Sequence, residues 1–198
     1  MDKRSSIKIS ILYKMKIGIF NYMRRELPTI EKTLTTLGFD VDIYDYKENH
    51  YEIMKKSNIK HWIFTGSPMD VTKDGAPQLD TRILRMEGKR VFLICYSMES
   101  ILEQLGCKLV KRERNRKRVF FMDILYQNYL TKGISSPVRA WRNHETYIPV
   151  KNLIPSVKLQ MQHEGEVMTC FFKNSVMTQW HPEHGEHGNI MLLNWLKR

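Results

Sequence analysis

Residues 90–105 read RVFLICYSMESILEQL and contain a change of pattern that decides the fold. Residues 90–95 are a short apolar run, which predicts a buried strand. From Tyr96 the apolar residues take helical spacing, and Gly106 follows as a C-terminal cap. The apolar face of this predicted helix consists of Met98, Ile101, Leu102 and Leu105. A strand therefore passes directly into a helix, with Cys95 at the junction.

Strands and helices also alternate in the part of the chain that precedes this junction. Apolar patterns predict strands over residues 16–20, 40–46 and 60–65. A helix is predicted to begin at Pro28 and to end at Gly38, residue types that favour those two positions. This alternation is typical of a parallel sheet with helices on both faces. We therefore predict an α/β fold with a doubly wound, mostly parallel sheet.

The pattern changes after residue 107, where short strands dominate. We expect strands over residues 118–124, 139–141, 167–172 and 176–180, and a last helix over roughly residues 189–197. These strands predict an antiparallel addition to the edge of the parallel core. Because no repeat or linker interrupts the chain, we predict one domain over residues 15–198, preceded by an extension of residues 1–14.

The composition excludes several classes of protein. With 42% hydrophobic and 27% charged residues, the 198-residue chain is expected to be globular and not disordered. No apolar run approaches the roughly 20 residues of a membrane span, and the basic start has no secretory cleavage site. Three cysteines (Cys95, Cys107 and Cys170) cannot form a disulfide framework. They fit a reducing compartment, so we predict a cytoplasmic protein, with Cys107 and Cys170 in the core.

The formal net charge of +11 is concentrated in one basic run over residues 108–118. Its cations are Lys108, Lys111, Arg112, Arg114, Arg116, Lys117 and Arg118. The run fits a solvated hairpin edge, a docking surface for an acidic protein, or a nucleic-acid contact. Aromatic residues do not interleave with it, which weakens the case for single-strand stacking. Among partners we therefore favour an acidic protein over nucleic acid.

Three segments carry candidate chemistry. Cys95 lies where the carboxyl end of a strand meets a helix N-terminus, a place that exposes a nucleophile and favours a thiolate. In QWHPE (residues 179–183), His181 and Glu183 are two residues apart in an extended segment, so the carboxylate can orient the imidazole. The turn TGSP (residues 65–68) follows a strand and can aim backbone N–H groups at an oxyanion. Each signal is weak alone.

A metal site is the alternative interpretation of the histidines near the end of the chain. His181, His184 and His187 could bind a metal together with Glu183 or Glu186. We favour a base at His181 followed by surface histidines, and we predict no metal and no organic cofactor.

Taken together, the segments TGSP, LICYSME (93–99) and QWHPE resemble the motifs of the class I glutamine amidotransferases, in the same order. A fourth segment, WRNHETYIP (141–149), is similar to one in the glutaminase part of the GMP synthases. The resemblance covers nearly all of residues 15–198. It implies a flavodoxin-like core and hydrolysis of the glutamine side-chain amide, with the ammonia passed to a separate ATP-dependent synthetase.

The resemblance also assigns roles to individual residues. It makes Cys95 the nucleophile, His181 the general base and acid, and Glu183 the residue that orients His181. The backbone N–H groups of Ser67 and Tyr96 match the oxyanion hole. The substrate pocket would include Gly66, Glu99, Asn143 and His144.

The chain departs from the family pattern around the nucleophile. Leu93 and Ser97 replace glycines two residues before and after Cys95, and Ser67 replaces a glycine of the turn. Glu99 stands where the family has a glutamine, and Glu145 and Thr146 replace Gly-Asp in the fourth segment. Such a pocket also suits a hydrolase of γ-glutamyl amides or peptides. A third interpretation is a weakly active regulatory or nucleic-acid-binding homologue.

Overall fold

The computed structural model describes residues 15–23 and 29–198, apart from the side chains of residues 114–117. The strands are β1 (Lys16–Asn21), β2 (Asp40–Asp45), β3 (His61–Phe64), β4 (Arg90–Ile94), β5 (Val110–Ile124), β6 (Val138–Tyr147), β7 (Lys158–His163), β8 (Glu166–Phe172) and β9 (Ser175–Thr178). The helices are α1 (Thr29–Thr36), α2 (His50–Lys56), α3 (Tyr96–Gln104) and α4 (Glu186–Leu196). The predicted start of the first helix at Pro28 and the extension of residues 1–14 lie outside the described residues.

The strands form one mixed sheet in the order β2-β1-β3-β4-β9-β8-β7-β5-β6. Five neighbouring strands, from β2 to β9 in that order, are parallel. The other four strands continue the sheet in antiparallel pairs. The predicted parallel core with an antiparallel edge is therefore confirmed, and β4 and β9 lie side by side in its middle.

Helices cover both faces of the parallel half, as the alternation of strands and helices predicts. On one face, Ile30 of α1 and Trp195 of α4 pack in one apolar cluster with Ile63 and Phe92 of the sheet. On the other face, apolar residues of α2 and α3 pack against Trp62 and its neighbours. Because successive side chains of a strand point to opposite faces, each central strand contributes to both clusters. β3 and β4 are therefore rigidly positioned.

Two elements were not predicted from the sequence. Helix α2 is short and has little apolar periodicity, and it is capped at its N-terminus by Asn49, whose side chain accepts a hydrogen bond from the Glu52 N–H at 3.1 Å. Strand β7 buries Gln160 completely, which obscures the alternation expected of a strand. β5 and β6 are also much longer than predicted and form a ribbon. None of the helices among the described residues is long and apolar enough to cross a membrane.

Candidate active site

Cys95 lies at a strained turn between β4 and α3. Its backbone has φ 50° and ψ −108°, a conformation that is costly for a residue with a side chain. The turn is fixed from the sheet side, because the Cys95 N–H donates to the Thr178 carbonyl of β9 at 2.7 Å. The backbone thus has the sharp strand-to-helix turn that the sequence predicts. The Cys95 side chain, however, is buried and not exposed as expected.

The residues that replace the family's glycines next to Cys95 fit this turn. The Ser97 hydroxyl is buried and donates to the Thr65 carbonyl at 2.6 Å, which ties α3 to the loop after β3. Leu93 is fully buried and packs in the apolar cluster on the α3 side of the sheet. Neither residue requires a positive φ, since Cys95 is the sole non-glycine residue of this segment with one.

The loop after β3 approaches the nucleophile closely at Gly66. A Cβ added there would lie 3.1 Å from Cε1 of His181 and 3.3 Å from Cβ of Cys95. A side chain at Gly66 would therefore require the His181 ring or Cys95 to shift by a few tenths of an ångström. Ser67 anchors the loop, because its hydroxyl donates to the Tyr22 carbonyl at 2.9 Å and accepts from the Met69 N–H at 3.1 Å. The Ser67 backbone N–H has no hydrogen-bond partner among the described residues.

His181 and Glu183 form the hydrogen-bonded pair that their spacing predicts. Nδ1 of His181 is 2.9 Å from Oε1 of Glu183. The His181 N–H donates to the Trp141 carbonyl at 2.9 Å, and the Trp141 indole meets the imidazole edge-on at 5.2 Å. Burial opposes ionisation of Glu183, but the charge and hydrogen bond of His181 outweigh it and lower the carboxyl pKa. Nε2 of His181 is buried and has no hydrogen-bond partner within the described part of the chain.

The protonation state of Cys95 differs from the expectation drawn from the sequence. Burial, and next the charge of Glu99, raise the pKa of the Cys95 thiol well above its usual value. A backbone hydrogen bond from Tyr96 and a contact from Gln179 act in the opposite direction but are weaker. The expectation that the helix N-terminus favours a thiolate is therefore wrong for the resting protein. A base must remove the thiol proton.

Glu99 and Gln179 lie directly beside the nucleophile. The Gln179 amide Nε2 donates to Oε1 of Glu99 at 2.7 Å and lies 3.7 Å from Sγ of Cys95. Burial, followed by the negative charges of Asp70 and Glu103, raises the pKa of Glu99 to about 8. Glu99 therefore carries a proton at neutral pH, and a carboxylic acid can donate a hydrogen bond as an amide does. Below that pKa, Glu99 is not restricted to accepting hydrogen bonds, as an ionised carboxylate is.

Strand β6 forms the opposite wall with Asn143 and His144. His144 is 3% exposed, and its Nε2 is 3.3 Å from Oε2 of Glu166. Glu166 is also ion-paired with Arg112 and lies 3.7 Å from the fully buried Arg142. This buried charge network holds the β6 wall against β8.

One cavity of about 310 Å³ brings together eight of the nine predicted site residues. They are Cys95, His181, Glu183, Gly66, Ser67, Glu99, Asn143 and His144. Tyr96 does not line the cavity, but its backbone hydrogen bond to Cys95 places its N–H beside the sulfur. Gln179 and Trp141 also lie at the site, although the sequence predicts no role for either residue. Both belong to the segments that carry the family resemblance, which is the one signal that could have indicated them.

The alternative metal cluster is formed only in part. Donor atoms of His181, Glu183 and His184 lie within 4.8 Å of one another. His187 belongs elsewhere, because its Nδ1 accepts from the Arg139 N–H at 3.0 Å. The hydrogen bond between Nδ1 of His181 and Oε1 of Glu183 is the geometry expected of a base and its orienting carboxylate.

The basic run forms one edge of the β5–β6 ribbon near the cavity. Lys111 pairs with Asp70, a residue of the cavity wall, at 2.6 Å. Arg112 pairs with Glu166, and Arg118 pairs with Glu164 at 3.3 Å. Three cations of the basic run therefore have acidic partners within the described structure. The side chains of Arg114, Arg116 and Lys117 lie outside the described part.

The family model "Glutamine amidotransferase class-I" matches residues 27–197. The GMP synthase [glutamine-hydrolyzing] of Petrotoga mobilis is 28% identical over 192 residues, which cover 92% of this chain and 36% of the relative. The Aquifex aeolicus protein of the same name is 26% identical, with 93% and 36% covered. The chain thus spans about a third of the length of these curated relatives.

Solved structures show the same fold at lower sequence identity. One from Thermoplasma acidophilum, described as a subunit of GMP synthase, has a TM-score of 0.74 at 19% identity and covers 92% of both chains. A glutamine amidotransferase from Thermotoga maritima has a TM-score of 0.68 at 13% identity, with 91% of this chain and 80% of the other covered.

Proposed function

The chain belongs to the class I glutamine amidotransferase family, and we propose that it hydrolyses the side-chain amide of glutamine to glutamate and ammonia. The observation that carries the proposal is the meeting of three segments in one cavity. The strained Cys95 turn, the His181–Glu183 pair and the close approach of Gly66 are all found there. This is the arrangement that thiol-based acyl transfer needs.

The first half of the proposed reaction forms a thioester. His181 takes the thiol proton on Nε2, the ring nitrogen that has no partner in the described structure, and the sulfur attacks the amide carbonyl carbon. The negative charge that develops on the carbonyl oxygen is stabilised by the backbone N–H groups of Ser67 and Tyr96. Glu183 holds the other imidazole nitrogen and stabilises the imidazolium. His181 then protonates the departing nitrogen, and ammonia leaves.

The second half regenerates the enzyme. His181 removes a proton from water, which attacks the thioester carbonyl, and the γ-glutamyl–sulfur bond breaks to give glutamate and the thiol. The high pKa of Cys95 fits this cycle, because the thiol is the resting form to which the enzyme returns.

A separate ATP-dependent synthetase is the proposed acceptor of the ammonia. Support comes from the curated relatives named GMP synthase, of which this chain spans about a third. The test is the rate of glutamate release with and without an added synthetase protein. A faster rate with the synthetase supports coupling, and an unchanged rate contradicts it.

Glu99 supports a second candidate, the hydrolysis of γ-glutamyl amides or peptides. A buried acid beside the nucleophile offers both a donor and an acceptor in a pocket that differs from the family pattern. A panel of glutamine and γ-glutamyl dipeptides separates the two activities, because the preferred substrate has the higher kcat/KM.

Glutamate release by the purified protein tests the main proposal. Cys95→Ala should abolish release, whereas Cys107→Ala should retain it, because Cys107 is a buried thiol outside the cavity. A glutamine-like electrophile should label Cys95, which peptide mass spectrometry detects. Full activity of Cys95→Ala, or a label on another residue, would refute the mechanism.

A further inference from the structure

A second cavity lies at the opposite end of the sheet from Cys95. It occupies about 530 Å³ where β3, β4 and β9 begin. His61 and Arg90 are register partners at the starts of β3 and β4, and both line the cavity. β4 connects the two sites, since Arg90 is its first residue and Cys95 follows its last. At about 3.3 Å per residue, the cavity and the nucleophile are roughly 16 Å apart.

The walls of this cavity are strongly cationic. Five cations line it, namely Lys60, Lys89, Arg90, Lys173 and Arg198, and the lining contains no aspartate or glutamate. Lys89 is engaged, because its Nζ donates to the carbonyls of Ser57 and Ile59. Within residues 15–23 and 29–198, no carboxylate forms an ion pair with the other four. This absence contrasts with Lys111, Arg112 and Arg118 of the ribbon, which all have acidic partners.

Two buried polar groups at the cavity have no hydrogen-bond partner in the described structure. His61 is 6% exposed and both of its ring nitrogens are unsatisfied. Nη1 of Arg90 is also buried and unsatisfied. Burial, and then the charge of Arg198, lower the pKa of Arg90, so the neighbouring guanidinium groups repel each other. Buried polar groups are rarely left without partners, which points to a ligand that accepts hydrogen bonds here.

The side chains around these groups suit a phosphate. A guanidinium presents two parallel donors that match phosphate oxygens, and a neutral imidazole adds one donor. The Arg198 guanidinium is held 4.3 Å from the centre of the Tyr129 ring at the cavity, which limits its rotation. The cavity volume falls within the range of small-molecule sites, so there is room for an organic group beside the phosphate.

We propose that this cavity binds a small phosphate-bearing anion through Arg90, His61 and Arg198, at a site separate from the catalytic cavity. Lys60 and Lys173 add positive charge at its rim. The shared chemistry is the phosphoryl group, which either free inorganic phosphate or a sugar phosphate would supply.

Titration calorimetry and amide NMR test this site with two probes, inorganic phosphate and ribose 5-phosphate, at constant ionic strength. We expect saturable binding of at least one probe and shifts of the Gly88 and Ser175 amides, which lie at the cavity, but not of Gly66 at the catalytic site. The tighter probe identifies the source of the phosphoryl group. Shifts confined to Gly66, or no saturation with either probe, would overturn the proposal.

Two double variants separate specific binding from general attraction. Lys173→Gln with Arg198→Gln removes two exposed cations of the cavity and should weaken binding about tenfold. The control, Lys151→Gln with Lys158→Gln, removes two exposed cations elsewhere and should leave the affinity unchanged. Equal weakening by both variants would overturn the proposal, as would an oligonucleotide that binds more tightly than either phosphate through the same cations. Arg90→Gln should abolish binding, and if it fails to fold, the double variants still decide.

Discussion

Glu99→Gln should increase the rate of glutamine hydrolysis at high pH and change it little near neutrality. Glu99 has a pKa of about 8 because it is buried, so about nine-tenths of it is protonated at pH 7. The protonated acid and an amide have similar shapes, and either can accept the 2.7 Å hydrogen bond from Gln179. Above pH 8, only the wild-type protein gains a negative charge beside the nucleophile.

The size of this effect follows from the geometry around Gln179. Its Nε2 is 2.7 Å from Oε1 of Glu99 and 3.7 Å from Sγ of Cys95. The two charged atoms are therefore separated by no more than roughly 6.4 Å, where two unit charges interact by about 2.6 kcal/mol at an effective dielectric constant of about 20. The ionised Glu99 opposes both the thiolate and the oxyanion. A loss of about 2.6 kcal/mol corresponds to a rate decrease of about 80-fold.

The assay is kcat/KM for glutamate release between pH 6.5 and 9.5, compared as the ratio of variant to wild type. The ratio should be within about threefold of one at pH 6.5, reach about twofold at the Glu99 pKa of about 8 and rise to tens at pH 9.5. Glu87→Gln, which removes an exposed acid far from the cavity, should give a ratio that does not vary with pH. A constant ratio for Glu99→Gln, or one that falls as pH rises, would refute the reasoning.

Four further predictions follow from named contacts. Because the folded-state pKa of Glu99 is raised from 4.5 to about 8, its contribution to stability is full below pH 4.5 and is lost as pH rises through 8. Urea unfolding should therefore show that the wild type loses stability relative to Glu99→Gln as pH rises over that range. Free energies of unfolding that change with pH in the same way for both proteins would contradict this prediction. Gly66→Ala should lower kcat by about tenfold or more with a smaller effect on Tm, since the new Cβ would displace the His181 imidazole, 3.1 Å away; an unchanged kcat would show that the loop moves freely. Glu183→Gln should lower kcat by about 10²–10⁴-fold with little change in KM, because His181 loses the carboxylate that orients it, and a loss below threefold would exclude that role. Glu166→Gln should reduce the free energy of unfolding by about 3–5 kcal/mol, because it removes a buried partner of Arg112 and Arg142. Urea unfolding of Glu87→Gln, which removes an exposed acid without an ion pair in the described structure, is the control and should show little change.

The sequence predicted the positions of the nucleophile and its partners because each depends on local pattern and chain topology. The change from strand to helix at Cys95 is visible in the spacing of apolar residues. The carboxyl ends of parallel strands meet at one edge of a sheet, so the loop containing Gly66 and the turn at Cys95 had to be neighbours. The hydrogen bond between His181 and Glu183 was predicted from an extended segment, whereas the structure has a turn there, in which the His184 N–H donates to the His181 carbonyl at 3.2 Å.

The protonation states in the cavity could not be read from the sequence. A helix N-terminus lowers a thiol pKa, but the burial of Cys95 and the side chain of Glu99 raise it by more. Glu99 in turn owes its own high pKa to burial and to Asp70, 29 positions away in the chain. These pKa values depend on distances between segments that are far apart in the sequence, which no local pattern encodes. The hydrogen bond from Gln179 to Glu99 also joins two such segments.

The basic run illustrates how charge counted along the sequence differs from charge available at the surface. Lys111 pairs with Asp70 of the cavity wall, and Arg112 pairs with Glu166, which also contacts His144 of the same cavity. These cations therefore act inward, because they neutralise carboxylates at the walls of the cavity that contains Cys95. The ion pairs of Lys111, Arg112 and Arg118 neutralise part of the positive charge of the basic run. An acidic partner that docks on this ribbon must therefore contact the other cations of the run. In the cavity at the other end of β4, four cations have no carboxylate partner among the described residues, so their charge remains available to an anion.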